Sequence, residues 1–188
     1  MRENRTQGSA RGAPSNGCPY LNRKEILNIR MIKAREADVH IISAILLEAA
    51  EYLESIDQPL WRSEELSQEL TFPDVCLGLY YLAYRGDRAL GTLKYQTTDP
   101  VFWPEITDES SAFVHRLAVR REVASKGVSR EMLNWAKEQT RSIGRNFLRL
   151  DCAIRPKLCA VYEKNGFSKH SEYKAGQYCV ARYEINIT

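Results

Sequence analysis

The 188-residue chain has no apolar stretch that could cross a bilayer. Its longest, Val75 to Tyr84, runs ten residues and contains a glycine and three tyrosines, against about 20 apolar residues for a membrane helix. No membrane association is expected. The five cysteines (Cys18, Cys76, Cys152, Cys159 and Cys179) form no C-x-x-C pair and no even framework. They read as reduced thiols of a cytoplasmic protein. There are only three histidines, and no H-E-x-x-H, G-x-S-x-G or Cys/His metal spacing occurs. Neither a metal nor a covalent acyl-enzyme is therefore expected. Residues 1–27 lack apolar periodicity and an apolar signal core. They are expected to form a disordered tail rather than a secretory signal, with one folded domain over 28–188.

The composition is otherwise that of a globular protein, 44% hydrophobic and 27% charged. The net charge of +3 hides a polarised chain. Residues 28–115 carry seven basic and fifteen acidic side chains, and residues 116–188 carry fifteen basic and seven acidic. A basic half suits a polyanionic ligand and an acidic half a cationic one. Solvated helix faces would produce the same counts. Nucleic acid is not an expected partner, because the bases scatter over several elements and aromatics do not interleave with them.

Period-two alternation over Asn28–Arg35 predicts a first strand. Val39, Ile42, Leu46, Ala49, Leu53 and Ile56, three or four apart, predict an amphipathic helix, with Glu36 and Asp38 at its positive end. A short helix is expected over Ser63–Leu70, capped by Ser63. Strands are expected over Val75–Tyr84 and Ala89–Gln96, joined by an Arg85-Gly86-Asp87 turn. The segment 97–111 reads as a loop, with Val101, Phe102 and Trp103 partly exposed or packed over a cleft. A strand over Ala112–Val119, a helix over Gly127–Ile143 stopped by Gly144, a strand over Phe147–Cys152 and a helix over Lys157–Asn165 follow. Strands Phe167–Tyr173 and Tyr178–Ile187 end the chain. The order predicts an α/β (α+β) domain with one mixed sheet of six to seven strands and helices on both faces.

One segment carries chemistry of its own. Leu117-Ala118-Val119 runs into a basic loop, and that loop opens a helix at Gly127. Free N–H groups at a helix start converge on one point where the helix dipole is positive, which suits a pyrophosphate. Gly127 permits close backbone approach, and Arg120, Arg121, Lys126 and Arg130 add attraction. An ordinary strand–helix turn has the same outline.

From Ala112 to Phe167 the chain resembles the cofactor half of the GNAT superfamily of acyl-CoA-dependent N-acyltransferases. The family pattern R/Q-x-x-G-x-G/A falls on Ala124-Ser125-Lys126-Gly127-Val128-Ser129, where Gly127 is the match. Downstream, Val161-Tyr162-Glu163-Lys164-Asn165-Gly166-Phe167 resembles the Y-E-x-x-G-F ending. His115-Arg116-Leu117-Ala118-Val119 is similar to the H-x-L-A-V strand of arylalkylamine N-acetyltransferases. The resemblance implies transfer of an acetyl group from acetyl-CoA, as co-substrate, to a primary amine by direct attack in a ternary complex. It implies a mostly antiparallel sheet in which the fourth and fifth strands splay apart. Leu117, Ala118 and Val119 would line the pantetheine arm, with the Leu117 N–H on the thioester carbonyl. Ser125, Lys126, Gly127, Val128, Ser129 and Arg130 would wrap the pyrophosphate. Trp61, Phe102 and Trp103 are candidate walls for the acceptor. A homodimer through the last strands is compatible with the family.

Tyr162 occupies the position of the family's general acid, the donor to the leaving thiolate, and is otherwise a core aromatic. His115 suits a general base through its ordinary pKa near 6.5, and is otherwise a packed strand histidine. Glu105 and Glu109 are rival bases. The replacements at Ala124, Ser129 and Arg155, where the family often has Arg or Gln, a small residue and Asn, keep open a second reading. In it the chain is an acyl-CoA-binding module without turnover.

Overall fold

In the computed structural model, residues 28–188 are described, so the expected tail 1–27 and Cys18 lie outside them. The strands are β1 (Arg30–Lys33), β2 (Tyr80–Arg85), β3 (Arg88–Gln96), β4 (Ser111–Val119), β5 (Phe147–Ala153), β6 (Ser168–Ala175) and β7 (Tyr178–Asn186). The helices are α1 (Val39–Ser55), α2 (Gln68–Cys76), α3 (Val128–Ser142) and α4 (Pro156–Lys164), with single 3-10 turns at Glu36–Asp38, Ser63–Leu66 and Arg121–Val123.

The strands form one sheet in the order β1-β2-β3-β4-β5-β7-β6. All pairs are antiparallel except β4–β5, which the connection through α3 makes parallel. Side-chain alternation divides the core into two layers. Leu82, Ala89 and Ala118 pack with Ile42, Ile45 and Leu46 of α1 on one face. Ala83, Leu90, Leu93, Val114 and Leu150 pack with Met132, Leu133 and Ala136 of α3 on the other. Gly91 lets α3 sit this close. A Cβ there would meet the Ala118 carbonyl oxygen and the Met132 sulfur, each at 2.8 Å.

Two expectations need correction. Val75 and Cys76 end α2 rather than begin a strand, and Gly78 (φ 69°) turns the chain before β2 starts at Tyr80. A continuous apolar run carries no period of its own. Val75 is buried beside α1, which decides the matter. The cap is Ser67, whose side chain accepts from the Leu70 N–H at 3.3 Å; Ser63 merely begins a 3-10 turn.

The feature that positions the site is a parting of the sheet. β4 and β5 pair only from Ser111↔Phe147 to Val114↔Leu150. Beyond that point β4 stays with β3 up to Val119, and β5 stays with β7 up to Ala153. A β-bulge accompanies the parting. Lys94 pairs with His115 and Thr92 with Ala118, so Arg116 and Leu117 together face Leu93. Arg116 takes the left-handed φ of 51° that the extra residue requires.

Candidate active site

Where the strands part, a cavity of about 520 Å³ opens. His115 and Leu117 line it from β4, Asp151 and Cys152 from β5, and Tyr162 from α4. Trp61 and Phe102 wall the far end from two loops.

His115 is 14% exposed and stands between two carboxylates. Its Nδ1 is 3.0 Å from Asp151 Oδ1, and its Nε2 is 3.2 Å from Asp99 Oδ2. Both carboxylates approach the ring within hydrogen-bonding distance, and hydrogen bonding and coulombic attraction act together there. Burial disfavours the charged ring, yet Asp151 and Asp99 outweigh it and push the His115 pKa up to about 9. At neutral pH the ring therefore carries its proton. Asp99 is 3% exposed. Burial works against its charge, but His115 and the Phe102 and Val101 N–H groups hold its pKa below the ordinary aspartate value. Those two N–H groups donate to Asp99 Oδ1 at 3.0 and 3.2 Å.

The donor atoms of Asp99, His115 and Asp151 lie within 4.8 Å of one another.

Tyr162 is buried, 6.2 Å from the Phe167 ring and 6.1 Å from the Tyr183 ring between centroids. Burial and the neighbouring Cys152 and Asp151 push its pKa above the usual tyrosine range, so its O–H stays protonated.

Past the C-terminal end of β4, Arg120 leads into the 3-10 turn and Gly127 caps α3 at φ 90°. The helical ladder begins with the Glu131 N–H donating to the Gly127 carbonyl at 3.1 Å. The N–H groups of Val128, Ser129 and Arg130 precede the ladder and point out of the helix start. Ser125, at φ 62°, and exposed Lys126 shape the approach. Three of the four expected bases have partners, Arg130 only loosely with Glu131 at 3.5 Å. Arg120 bonds Glu48 at 2.7 Å, and the Arg121 guanidinium stacks 3.3 Å from the Tyr52 ring centroid.

Residues 45–167 match the family model for the acetyltransferase (GNAT) family. The chain belongs to that family. It is 24% identical over 139 residues to the uncharacterized N-acetyltransferase YesJ of Bacillus subtilis (strain 168), a match covering 69% of this chain and 76% of that one. Its fold is similar to a GNAT-family acetyltransferase from Listeria monocytogenes 4b F2365, with a TM-score of 0.70, 17% identity, and 84% and 94% of the two chains covered. It is also similar to the PaiA N-acetyltransferase from Thermoplasma acidophilum in complex with coenzyme A, at a TM-score of 0.66, 18% identity, and 85% and 99% coverage.

The GNAT fold thus brings His115, Leu117 and Tyr162 to one cavity. It holds Ser125 to Arg130 together at the start of α3. Ala118 and Val119 follow on β4, but Ala118 turns into the α1 layer of the core. Other sequence candidates go elsewhere. Glu105 is paired with Arg182 at 2.6 Å, and Glu109 is exposed outside the cavity. Trp103 is fully buried rather than a wall, with the guanidinium groups of Arg149 and Arg182 at 5.2 and 4.5 Å from its ring. The partners of His115 were not foreseen. An acid on a strand whose other residues, Arg149 aside, are apolar was the available signal for Asp151. Asp99, sixteen positions before His115 in a loop, gave none.

Proposed function

We propose that the protein moves an acetyl group from acetyl-CoA to a primary amine by direct attack in a ternary complex. The parting of β4 from β5, with His115 on one side and Tyr162 on the other, carries this reading. Free N–H groups and the positive dipole at the start of α3 fit a diphosphate, and the cavity between the strands fits an extended arm. Acetyl-CoA supplies the activated acetyl thioester.

In this reading the backbone of Ser125 to Arg130, including Lys126, Gly127, Val128 and Ser129, holds the diphosphate. Leu117, Ala118 and Val119 guide the arm, and the Leu117 N–H donates to the thioester oxygen as charge develops there. An alkylamine with a pKa near 10.4 is neutral in only about one molecule in 10³ at pH 7. His115 in its neutral form, the minor one at pH 7, accepts the proton as the C–N bond forms, and Asp151 and Asp99 stabilise the resulting imidazolium. The Tyr162 O–H donates a hydrogen bond to the sulfur as the C–S bond breaks. Because its own proton is held tightly, it stabilises the thiolate by hydrogen bonding rather than by full proton transfer.

The test is release of free thiol from acetyl-CoA on addition of amines. Tyr162→Phe should lower kcat about tenfold and spare coenzyme A binding; an unchanged kcat removes Tyr162 from the mechanism. Binding of coenzyme A with no thiol released from any amine would favour the module without turnover. That reading draws on Ala124, Ser129 and Arg155. The last ties its guanidinium to the Gln58 and Pro59 carbonyls at 2.7 and 2.5 Å.

A further inference from the structure

The acceptor end of the cavity carries separated charges of both signs. Around His115, two carboxylates face one imidazolium, which leaves one negative charge. Around Arg116 the balance reverses. Glu65 Oε1 already accepts from Arg62 Nε at 2.8 Å and from the Tyr178 hydroxyl at 3.1 Å. Arg116 Nη2 reaches Glu65 Oε2 only at 3.7 Å, so one carboxylate serves two guanidinium groups and one positive charge remains. Arg116 Nη1 is buried with no hydrogen-bond partner, a costly state for a charged donor.

The two charges lie on consecutive residues. In a regular strand the side chains of residues 115 and 116 would point to opposite faces. The bulge and the left-handed φ of Arg116 overcome this, and both residues line the same cavity. Bulges re-aim side chains beside active sites in this way. The Arg116 guanidinium also lies over the Trp61 ring, 5.5 Å from its centroid, which fixes its plane at the cavity wall.

Resting on the acetyl-transfer reading above, we propose that Arg116 is an acceptor-specificity residue that binds a carboxylate, and that the acceptor is a zwitterion of the amino-acid class. Its ammonium group sits at the Asp99–His115–Asp151 end. Its carboxylate pairs with the Arg116 guanidinium, whose Nη2 Glu65 holds only at 3.7 Å, in a charge-assisted contact. Trp61 and Phe102 flank the remaining side chain. A diamine would place its second cation against Arg116, and like charges repel there.

The experiment compares the free amino acids with their C-terminal amides as acceptors, following thiol release from acetyl-CoA. Calorimetric titration of the same compounds into the coenzyme A complex runs in parallel. The acids should exceed their amides at least tenfold in kcat/KM, mainly through KM. In Arg116→Gln that ratio should collapse towards one, and Arg116→Lys should restore part of it. The wild-type ratio alone decides the matter if the variants do not fold. Equal use of acids and amides, or turnover of amines lacking a carboxylate in preference to acids, overturns the proposal. So does the absence of acid binding in calorimetry. If acids bind, and bind more weakly to Arg116→Gln, yet no amine releases thiol, the carboxylate site stands and the transfer reading falls.

Discussion

The two parts of the candidate site are built on different principles. The end at α3 is made of backbone: consecutive residues from Ser125 to Arg130, a glycine cap and a row of N–H groups ahead of the helical ladder. The end at His115 is made of side chains drawn from β4, β5 and two loops, with charges matched at 3.0 to 3.7 Å. A backbone site tolerates changes of residue type as long as the chain path survives. A side-chain site is sensitive to every charge and tolerant of none. Substitutions should therefore hurt binding of coenzyme A little and chemistry a great deal.

The sharpest way to break that contrast is His115→Gln. It should lower kcat by 10² to 10³, the usual range for loss of a general base, while calorimetry finds coenzyme A affinity within about twofold. A comparable loss of affinity would mean the two ends are not separable. In the wild type kcat/KM should climb with pH through about 9, because only the neutral ring accepts a proton. A rise completed by pH 7 would show that the carboxylates do not hold the proton.

Asp151→Asn sharpens the same point. Removing one negative neighbour should move the rising limb to lower pH by about one unit. The pairing also has a stability signature. A group with a raised folded pKa stabilises fully below its unfolded value, here about 6.5, and loses that contribution as pH rises through about 9. The melting temperature should decline across that window, and the decline should flatten in Asp151→Asn.

At the backbone end the effects should be smaller. Gly127→Ala forces an L-residue to φ 90°, a strain of about 1–2 kcal/mol. It should weaken coenzyme A binding several-fold in calorimetry with kcat nearly intact. Lys126→Ala should be milder still, less than about threefold and fading at high salt, since an exposed charge is screened. A tenfold effect at Lys126 would move the weight of diphosphate binding from backbone to side chain.

These construction principles also account for what the amino-acid sequence disclosed. The succession of strands and helices along the chain and the loop at Gly127 were legible because each depends on neighbours within a few residues. The Y-E-x-x-G-F stretch ending at Phe167 was legible for the same reason. The boundary between α2 and β2 was not, because Val75 to Leu79 is apolar for two different reasons: a buried helix end and a turn entering a strand. The acceptor end was read in part. His115 stood out by type, but its protonation depends on Asp99 and Asp151, which only the tertiary fold delivers. Arg116 passed unremarked, since its special role begins with a bulge that depends on pairing with β3.

Trp103 ties these levels together. Its ring lies 5.2 Å from the Arg149 guanidinium of β5, 4.5 Å from that of Arg182 of β7 and 6.2 Å from the Phe113 ring of β4, so it moors the turn that carries Asp99 to strands on both sides of the parting. The Arg182 Nη1 donating to the Phe102 carbonyl at 3.0 Å is a second mooring line. The same turn leaves β3 at Gln96, whose partner on β4 is Phe113, so Asp99 is tied to both banks. A buried ring that does not line the cavity thereby dictates how far a carboxylate stands from the imidazole.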